Sequence, residues 1–259
     1  MYIQKYKNIV IKIGSSTLMY LMESVYENDI KNSPFQNFIK DITQIMQFSN
    51  VTLVTSGAIA TARRILNLPK PVNISQKQAL SSIGQIYLMQ EYIQAFHKYN
   101  IKAGQILLTK NDISDEKSLA NLHSTLNSLR MLNAIPIINE NDAISTDEIK
   151  VGDNDTLATN IALAIHADAL IILTDVDGIY DSNPNENPNA ILITHTSGLI
   201  EQESISETEF GSGGISTKIR AGNIAVQNNF DAIITNGRKV QPLTSIKENY
   251  CTIFNKPLL

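Results

Sequence analysis

The sequence predicts an α/β protein built on a mostly parallel sheet covered by helices on both faces. Short apolar runs alternate with segments of helical periodicity along the chain. The runs are apolar almost throughout rather than at alternate positions, which is the pattern of strands buried on both sides. Glycine-rich or polar stretches stand at or beside the ends of several runs, at residues 12–16, 55–58, 139–155 and 211–218. In open α/β sheets ligands bind beyond the carboxyl ends of the strands.

Taken in order, residues 8–13 read as a first strand. Phe35, Phe38, Ile39, Ile42, Ile45 and Met46 recur at helical spacing and place a helix over 35–48. A strand at 51–54 is followed by helices over 57–67 and 75–98. A strand at 105–108, a helix over 116–132 and a strand at 135–138 come next. A helix over 155–166 leads into the wholly apolar strand 170–173. A helix over 215–229 and strands at 232–235 and 251–254 close the series. Residues 181–213 differ, with Pro184, Pro188, several asparagines and an acidic stretch at 201–209. They describe a connection with little core, either a lid over a nucleotide or a solvated loop.

Composition narrows the function. With 259 residues and 43% hydrophobic content the chain can bury a core without disulfides or metals. Its single cysteine, Cys251, cannot bridge within the chain, which fits a reducing compartment. A net charge of −4 with scattered lysines and arginines argues against nucleic-acid binding. The adjacent pairs Arg63-Arg64 and Arg238-Lys239 read as solvated surface. The N-terminus has no apolar signal-peptide region, and no run reaches the ~18 apolar residues of a membrane span. The expected location is the cytoplasm. The four histidines stand in no metal-ligand or triad spacing, so no protein-held metal is expected.

The junctions carry the chemistry. Lys12 lies inside an apolar strand and runs into Gly14, Ser15 and Ser16. It is either a phosphate clamp or a lysine whose stem lies along apolar surface. Thr55-Ser-Gly-Ala58 precedes a helix, whose free N–H groups attract anions, and Ser56 alternatively caps that helix. Residues 139–155 hold six acidic residues and three asparagines. They form either a polar loop or a site for an ammonium-bearing substrate, ending in Gly152-Asp-Asn-Asp155 at a helix start. Gly211-Ser-Gly-Gly-Ile-Ser-Thr-Lys218 opens another helix. It is neither a Walker A loop nor a dinucleotide fingerprint. It still combines flexible backbone, hydroxyls and a lysine opposing the helix dipole, so it asks for an anion. Thr174-Asp-Val-Asp-Gly178 is a turn or a wall of a nucleotide site.

Together these segments resemble the amino acid kinase superfamily and, within it, the glutamate 5-kinases. The resemblance covers roughly residues 8–255. It rests on Val10-Ile-Lys-Ile-Gly-Ser-Ser16, Val54-Thr-Ser-Gly-Ala-Ile-Ala60, Ile138-Asn-Glu-Asn-Asp-Ala143, Glu148-Ile-Lys-Val-Gly-Asp-Asn-Asp155, Leu173-Thr-Asp175 and Gly213-Gly-Ile-Ser-Thr-Lys218. Ser81-Ser-Ile-Gly-Gln85 and Gly104-Gln-Ile-Leu-Leu-Thr109 look like that family as well.

The resemblance implies a single domain over 1–259, a three-layer αβα sandwich of carbamate kinase-like fold with a central, mainly parallel sheet. It implies phosphorylation of L-glutamate by ATP to L-glutamyl 5-phosphate, the first step of proline biosynthesis, with Mg²⁺ arriving on the nucleotide. It also implies a homo-oligomer and proline as a feedback inhibitor. By motif position, Lys12, Asp155 and Lys218 are catalytic, with Asp155 holding the two lysines. Ser56, Gly57, Asp142 and Asn154 bind glutamate. Lys12, Thr174, Asp175, Ser212, Gly213, Gly214, Ile215, Ser216, Thr217 and Lys218 line the ATP site. Many members carry a C-terminal PUA domain, which is expected to be absent here. Residues 19–32 match nothing in the family and read as a peripheral hairpin.

The chemistry is consistent with that family. A glutamate side chain, with a pKa of about 4.3, is already a nucleophile at neutral pH, so no general base is needed. The difficulty is an anion attacking a polyanion, which lysines, helix N-termini and Mg²⁺ relieve. Rival readings are a superfamily kinase for another acceptor (acetylglutamate, aspartate, carbamate or a nucleoside monophosphate), a non-catalytic amino-acid-binding protein on the same fold, or a dehydrogenase. The Asn139-Glu-Asn-Asp142 segment favours free glutamate, and the dinucleotide fingerprint is missing.

Overall fold

The computed structural model describes residues 2–26, 33–71, 73–145, 153–184, 186–198, 200, 214–246 and 250–255. After a 3-10 turn at Tyr2–Lys5, the elements are β1 (Asn8–Ile13), α1 (Ser15–Tyr26), α2 (Pro34–Ile45), β2 (Asn50–Val54), α3 (Ala58–Ile65), α4 (Ile74–His97), β3 (Lys102–Leu108), α5 (Lys110–Ser114), α6 (Glu116–Met131), β4 (Ala134–Glu140), α7 (Asp153–Ala164), β5 (Ala169–Thr174), β6 (His195–Thr196), α8 (Ile215–Gln227), β7 (Asp231–Asn236) and β8 (Thr252–Phe254).

The strands form one sheet in the order β3-β4-β2-β1-β5-β7-β8-β6. Every pairing is parallel except β7 with β8. Side chains alternate between the faces of a strand, so β1 serves two cores. Ile9, Ile11 and Ile13 join a cluster with residues of α1, α2 and α4. Val10 joins a second cluster on the other face with residues of α6, α7 and α8. The result is the expected three-layer αβα architecture.

The chain fills one half of the sheet first, through β2, β3 and β4. It then crosses by α7 to β5 and fills the other half. The carboxyl ends of β1, β2, β4, β5 and β7 therefore share one edge, with β1 at the point where strand order reverses. That is where an open α/β sheet places its ligands.

Two expectations are corrected. The hairpin proposed for 19–32 is largely helix α1, which runs to Tyr26, and residues 27–32 lie outside the described residues. Leu18, Leu21 and Met22 have the spacing of one helical stripe and are fully buried. Asn139 and Glu140 do not follow a strand but end β4, paired with Leu107 and Leu108 of β3. Among the described residues of 181–200 no hydrophobic side chain is fully buried, in keeping with a connection of little core, and the segment is held at its edges. Ile179 is fully buried, Tyr180 bridges Leu192, and β6 pairs with β8. Of the segment 181–213, expected as a lid or a solvated loop, residues 185, 199 and 201–213 lie outside the described residues, and so does 146–152.

Two glycines set local geometry. Gly57 adopts φ 101° before α3, a left-handed conformation that L side chains rarely tolerate. Gly84 lets α4 press against α3: a Cβ there would lie 1.8 Å from the Ala58 carbonyl oxygen.

Candidate active site

Lys12 occupies the same face of β1 as Val10, because the period of a strand is two. That face looks toward α7 and α8, whose N-termini come together there; α7 packs on β1 and against α8. Lys12 is almost wholly buried, and its ammonium lies 2.5 Å from Asp155 Oδ1 in the first turn of α7. Lys218, in the first turn of α8, approaches the other oxygen, Oδ2, at 3.4 Å. Thr217 Oγ1 donates to Oδ2 at 2.7 Å.

The three charges are thus locked in the order lysine, carboxylate, lysine. Burial by itself raises the Asp155 carboxyl pKa; Lys12, then Lys218 and the hydrogen bonds outweigh it and hold the group below the usual carboxylate range. Burial lowers the Lys218 ammonium below an ordinary lysine, a shift that Asp155 opposes and Lys12 reinforces. Two cations against one anion leave the cluster with one net positive charge. A Cβ on Gly14 would sit 3.3 Å from the Lys12 ammonium, so glycine there keeps the space beside that charge clear.

Adjacent residues on an α-helix point about 100° apart. While Asp155 faces the lysines, Asn154 therefore faces the β2–β4 side. Its Nδ2 donates to the Thr55 carbonyl at 2.9 Å, to Ser56 Oγ and, at 3.3 Å, to Asn139 Oδ1. Asn139 in turn donates to Gln85 of α4 at 2.8 Å. Ser81, one turn earlier on α4, donates to Asp142 just beyond β4 at 3.3 Å. The Thr55 hydroxyl is held at 2.9 Å from the hydroxyl of the fully buried Tyr92. Ser56 does not cap α3; Gly57 stands at that position without a side-chain cap.

On the opposite side, Thr174 ends β5 and its hydroxyl donates to Asp175 at 3.2 Å. Arg238, just beyond β7, donates to Ser16 Oγ at 3.0 Å, lies 3.8 Å from Asp175 and stacks over Tyr20. Lys239 pairs with Asp177 at 3.0 Å. The two cations read as solvated surface are therefore tied to the turn after β5. Gly214 occupies the N-cap of α8, followed by Ile215 and Ser216. Ser212 and Gly213 lie outside the described residues.

The fold thus gathers Lys12, Asp155 and Lys218 at the centre of the edge, Ser56, Gly57, Asp142 and Asn154 toward β4, and Thr174, Asp175 and residues 214–218 toward β7. Three site-edge participants were not identified from sequence. Asn139 and Gln85 stood within family-like segments without a role of their own, and Arg238 was read as surface. Their only signal was position within segments of family-like sequence or beside a strand end.

The arrangement agrees with comparison to known proteins. The family model described as the amino acid kinase family matches residues 7–236. A glutamate 5-kinase of Clostridium acetobutylicum is 41% identical over 98% of this chain and 96% of its own length. One from Clostridium tetani is 39% identical over 95% of this chain and 93% of its own. One from Bartonella henselae is 38% identical over 93% of this chain, which spans 64% of that longer protein. The crystal structure of UMP kinase from Ureaplasma parvum superposes with a TM-score of 0.62, covering 96% of this chain and 99% of that one at 18% identity, a likeness of fold. Model, relatives and architecture converge: the chain belongs to the amino acid kinase family and, within it, to the glutamate 5-kinases.

Proposed function

We propose that the chain transfers the γ-phosphoryl group of ATP to the side-chain carboxylate of L-glutamate, giving L-glutamyl 5-phosphate, the first step of proline biosynthesis. The observation that carries this reading is the buried Lys12–Asp155–Lys218 cluster, flanked on one side by an amide, hydroxyl and carboxylate group and on the other by the N-terminus of α8. The residues described would act as one amino acid kinase domain.

In this reading ATP lies toward β5 and β7, its phosphates over Gly214–Lys218 and its base side by Thr174 and Asp175. Glutamate lies toward β2 and β4. Its ammonium faces Asp142 and the amide oxygen of Asn154, and the Ser56 hydroxyl, with the backbone at Gly57, receives its oxygens. The side-chain carboxylate then points to β1, where the two lysines flank the transferring group. Phosphoryl transfer of this kind needs position and charge rather than a base. Asp155 keeps both ammonium groups aimed, and it opposes the loss of the Lys218 proton that burial favours. Mg²⁺ would add positive charge on the phosphates. The donors at this edge suit an ion carried on the nucleotide, since Asp155 is taken by two lysines and Asp175 is shared with Arg238.

Trapping with hydroxylamine tests the reaction directly. Glutamate and Mg-ATP together should give the γ-hydroxamate, and either alone should give none. Hydroxamate from aspartate or acetylglutamate, with none from glutamate, would overturn the assignment of acceptor.

A further inference from the structure

Gln85 lies on α4 one turn beyond Ser81, and the two side chains reach Asn139 and Asp142, neighbours at the end of β4. It is 7% exposed. The direction of its bond to Asn139 is dictated by the backbone. Asn139 Oδ1 receives the Glu140 N–H at 2.9 Å, a group that can only donate, and Asn154 Nδ2 at 3.3 Å. Asn139 must therefore turn its NH₂ toward Gln85, and Gln85 must answer with its carbonyl oxygen. What remains at the end of this relay is Gln85 Nε2, a buried NH₂ with no hydrogen-bond partner among the described residues. Buried amide donors are almost always satisfied, and an exception asks for an acceptor that arrives from outside.

The relay Gln85–Asn139–Asn154–Ser56 connects this donor to the residues assigned above to the acceptor amino acid. We propose that Gln85 is a further binding residue for that acceptor, its Nε2 donating to the α-carboxylate. This inference rests on the proposed glutamate site and deepens it. The chemistry is one-sided: an uncharged donor takes a carboxylate oxygen and cannot take an ammonium. The ammonium belongs to Asp142, which meets Ser81 one helical turn away. Side chains four apart on a helix stand about 5–6 Å from each other, a separation an α-amino acid bridges when its ammonium and carboxylate are each held by one hydrogen bond. The same relay ties that contact to Asn154, and so to the helix whose next residue aims both lysines.

Gln85→Glu isolates the donor, because it keeps the length of the side chain and the oxygen facing Asn139 while replacing only the free NH₂. Its KM for glutamate is expected to rise at least tenfold, well beyond any change in KM for ATP. The preference for glutamate over its α-amide, measured as kcat/KM, should fall about tenfold, since the new oxygen accepts from an amide and repels a carboxylate. Gln85→Met, of similar length and without a donor, should weaken the same preference. Either variant showing a lowered melting temperature with glutamate KM and preference within twofold of wild type would overturn the inference and leave Gln85 a packing residue. Wild-type hydroxamate formation decides the underlying reading separately. If wild type phosphorylates another carboxylate acceptor instead of glutamate, the glutamate assignment fails, and the acid-over-amide preference on that acceptor still decides the role of Gln85.

Discussion

Replacing Asp155 by asparagine removes one charge and almost no volume, at a site where one carboxylate holds two ammonium groups. At the observed separations of 2.5 Å and 3.4 Å, the two attractions amount to about 7 and about 5 kcal/mol with an effective dielectric of about 20. Desolvation of three buried charges offsets most of that sum, and removing one member of a buried ion pair costs about 3–5 kcal/mol net. Part of that cost would be relieved by proton loss from a lysine. Lys218 is already depressed by burial, and Asp155 is the chief group opposing the depression. Without it, Lys218 should lose its proton at lower pH. The alkaline limb of kcat should therefore move acidward. At neutral pH kcat should fall on the order of 10²-fold, the scale for loss of one preorganised electrostatic group. Hydroxamate formation measured from pH 6 to 10 at saturating substrates, beside a thermal melt, provides both readings. A variant with a lowered melting temperature, kcat within threefold of wild type and an unmoved alkaline limb would refute the role assigned to Asp155.

Other perturbations probe separate parts of the structure. Gly84→Ala drives a methyl into the Ala58 carbonyl, so a loss of about 1–3 kcal/mol is expected in urea unfolding, and an unchanged midpoint would contradict the close packing of α3 on α4. Asp142→Ala should raise the KM for glutamate far more than the KM for ATP; equal changes would exclude a substrate-specific role. Asp41, fully buried in α2, accepts the backbone N–H groups of Leu243 and Thr244, and burial raises its pKa. Its native carboxyl therefore binds a proton that the unfolded chain has already released. The stability of wild type relative to Asp41→Asn should accordingly decline as pH rises from about 4, the unfolded value, and a difference independent of pH would contradict the raised pKa.

Much of this molecule was legible in its sequence. Strands such as 170–173, apolar throughout, and helices such as α2, with a clear apolar stripe, were found within a few residues of their observed ends, because backbone pairing and burial leave simple periodic marks. Lys12, in an apolar strand before glycine and serines, stood out in the sequence, but only the contact with Asp155 decided against a lysine lying along apolar surface. Helix α1 was obscured because Leu18 to Met22 are apolar in succession, and only contact with the core decides which of them define a face. Asn139 looked like the start of a loop because its polarity hid two more residues of strand pairing with β3.

What the chain alone determined was therefore the set of groups, the fold class and, through resemblance, the family. What only the tertiary structure decided was which groups meet. The order β4-β2-β1-β5-β7 lays distant strand ends side by side, and the rotation between Asn154 and Asp155 on α7 sends neighbouring residues to opposite halves of the edge. The direction of the Gln85 amide followed from a single backbone N–H at Glu140. Hydrogen-bond polarity and charge pairing act through space over a few ångströms, and distance along the chain carries almost no record of them.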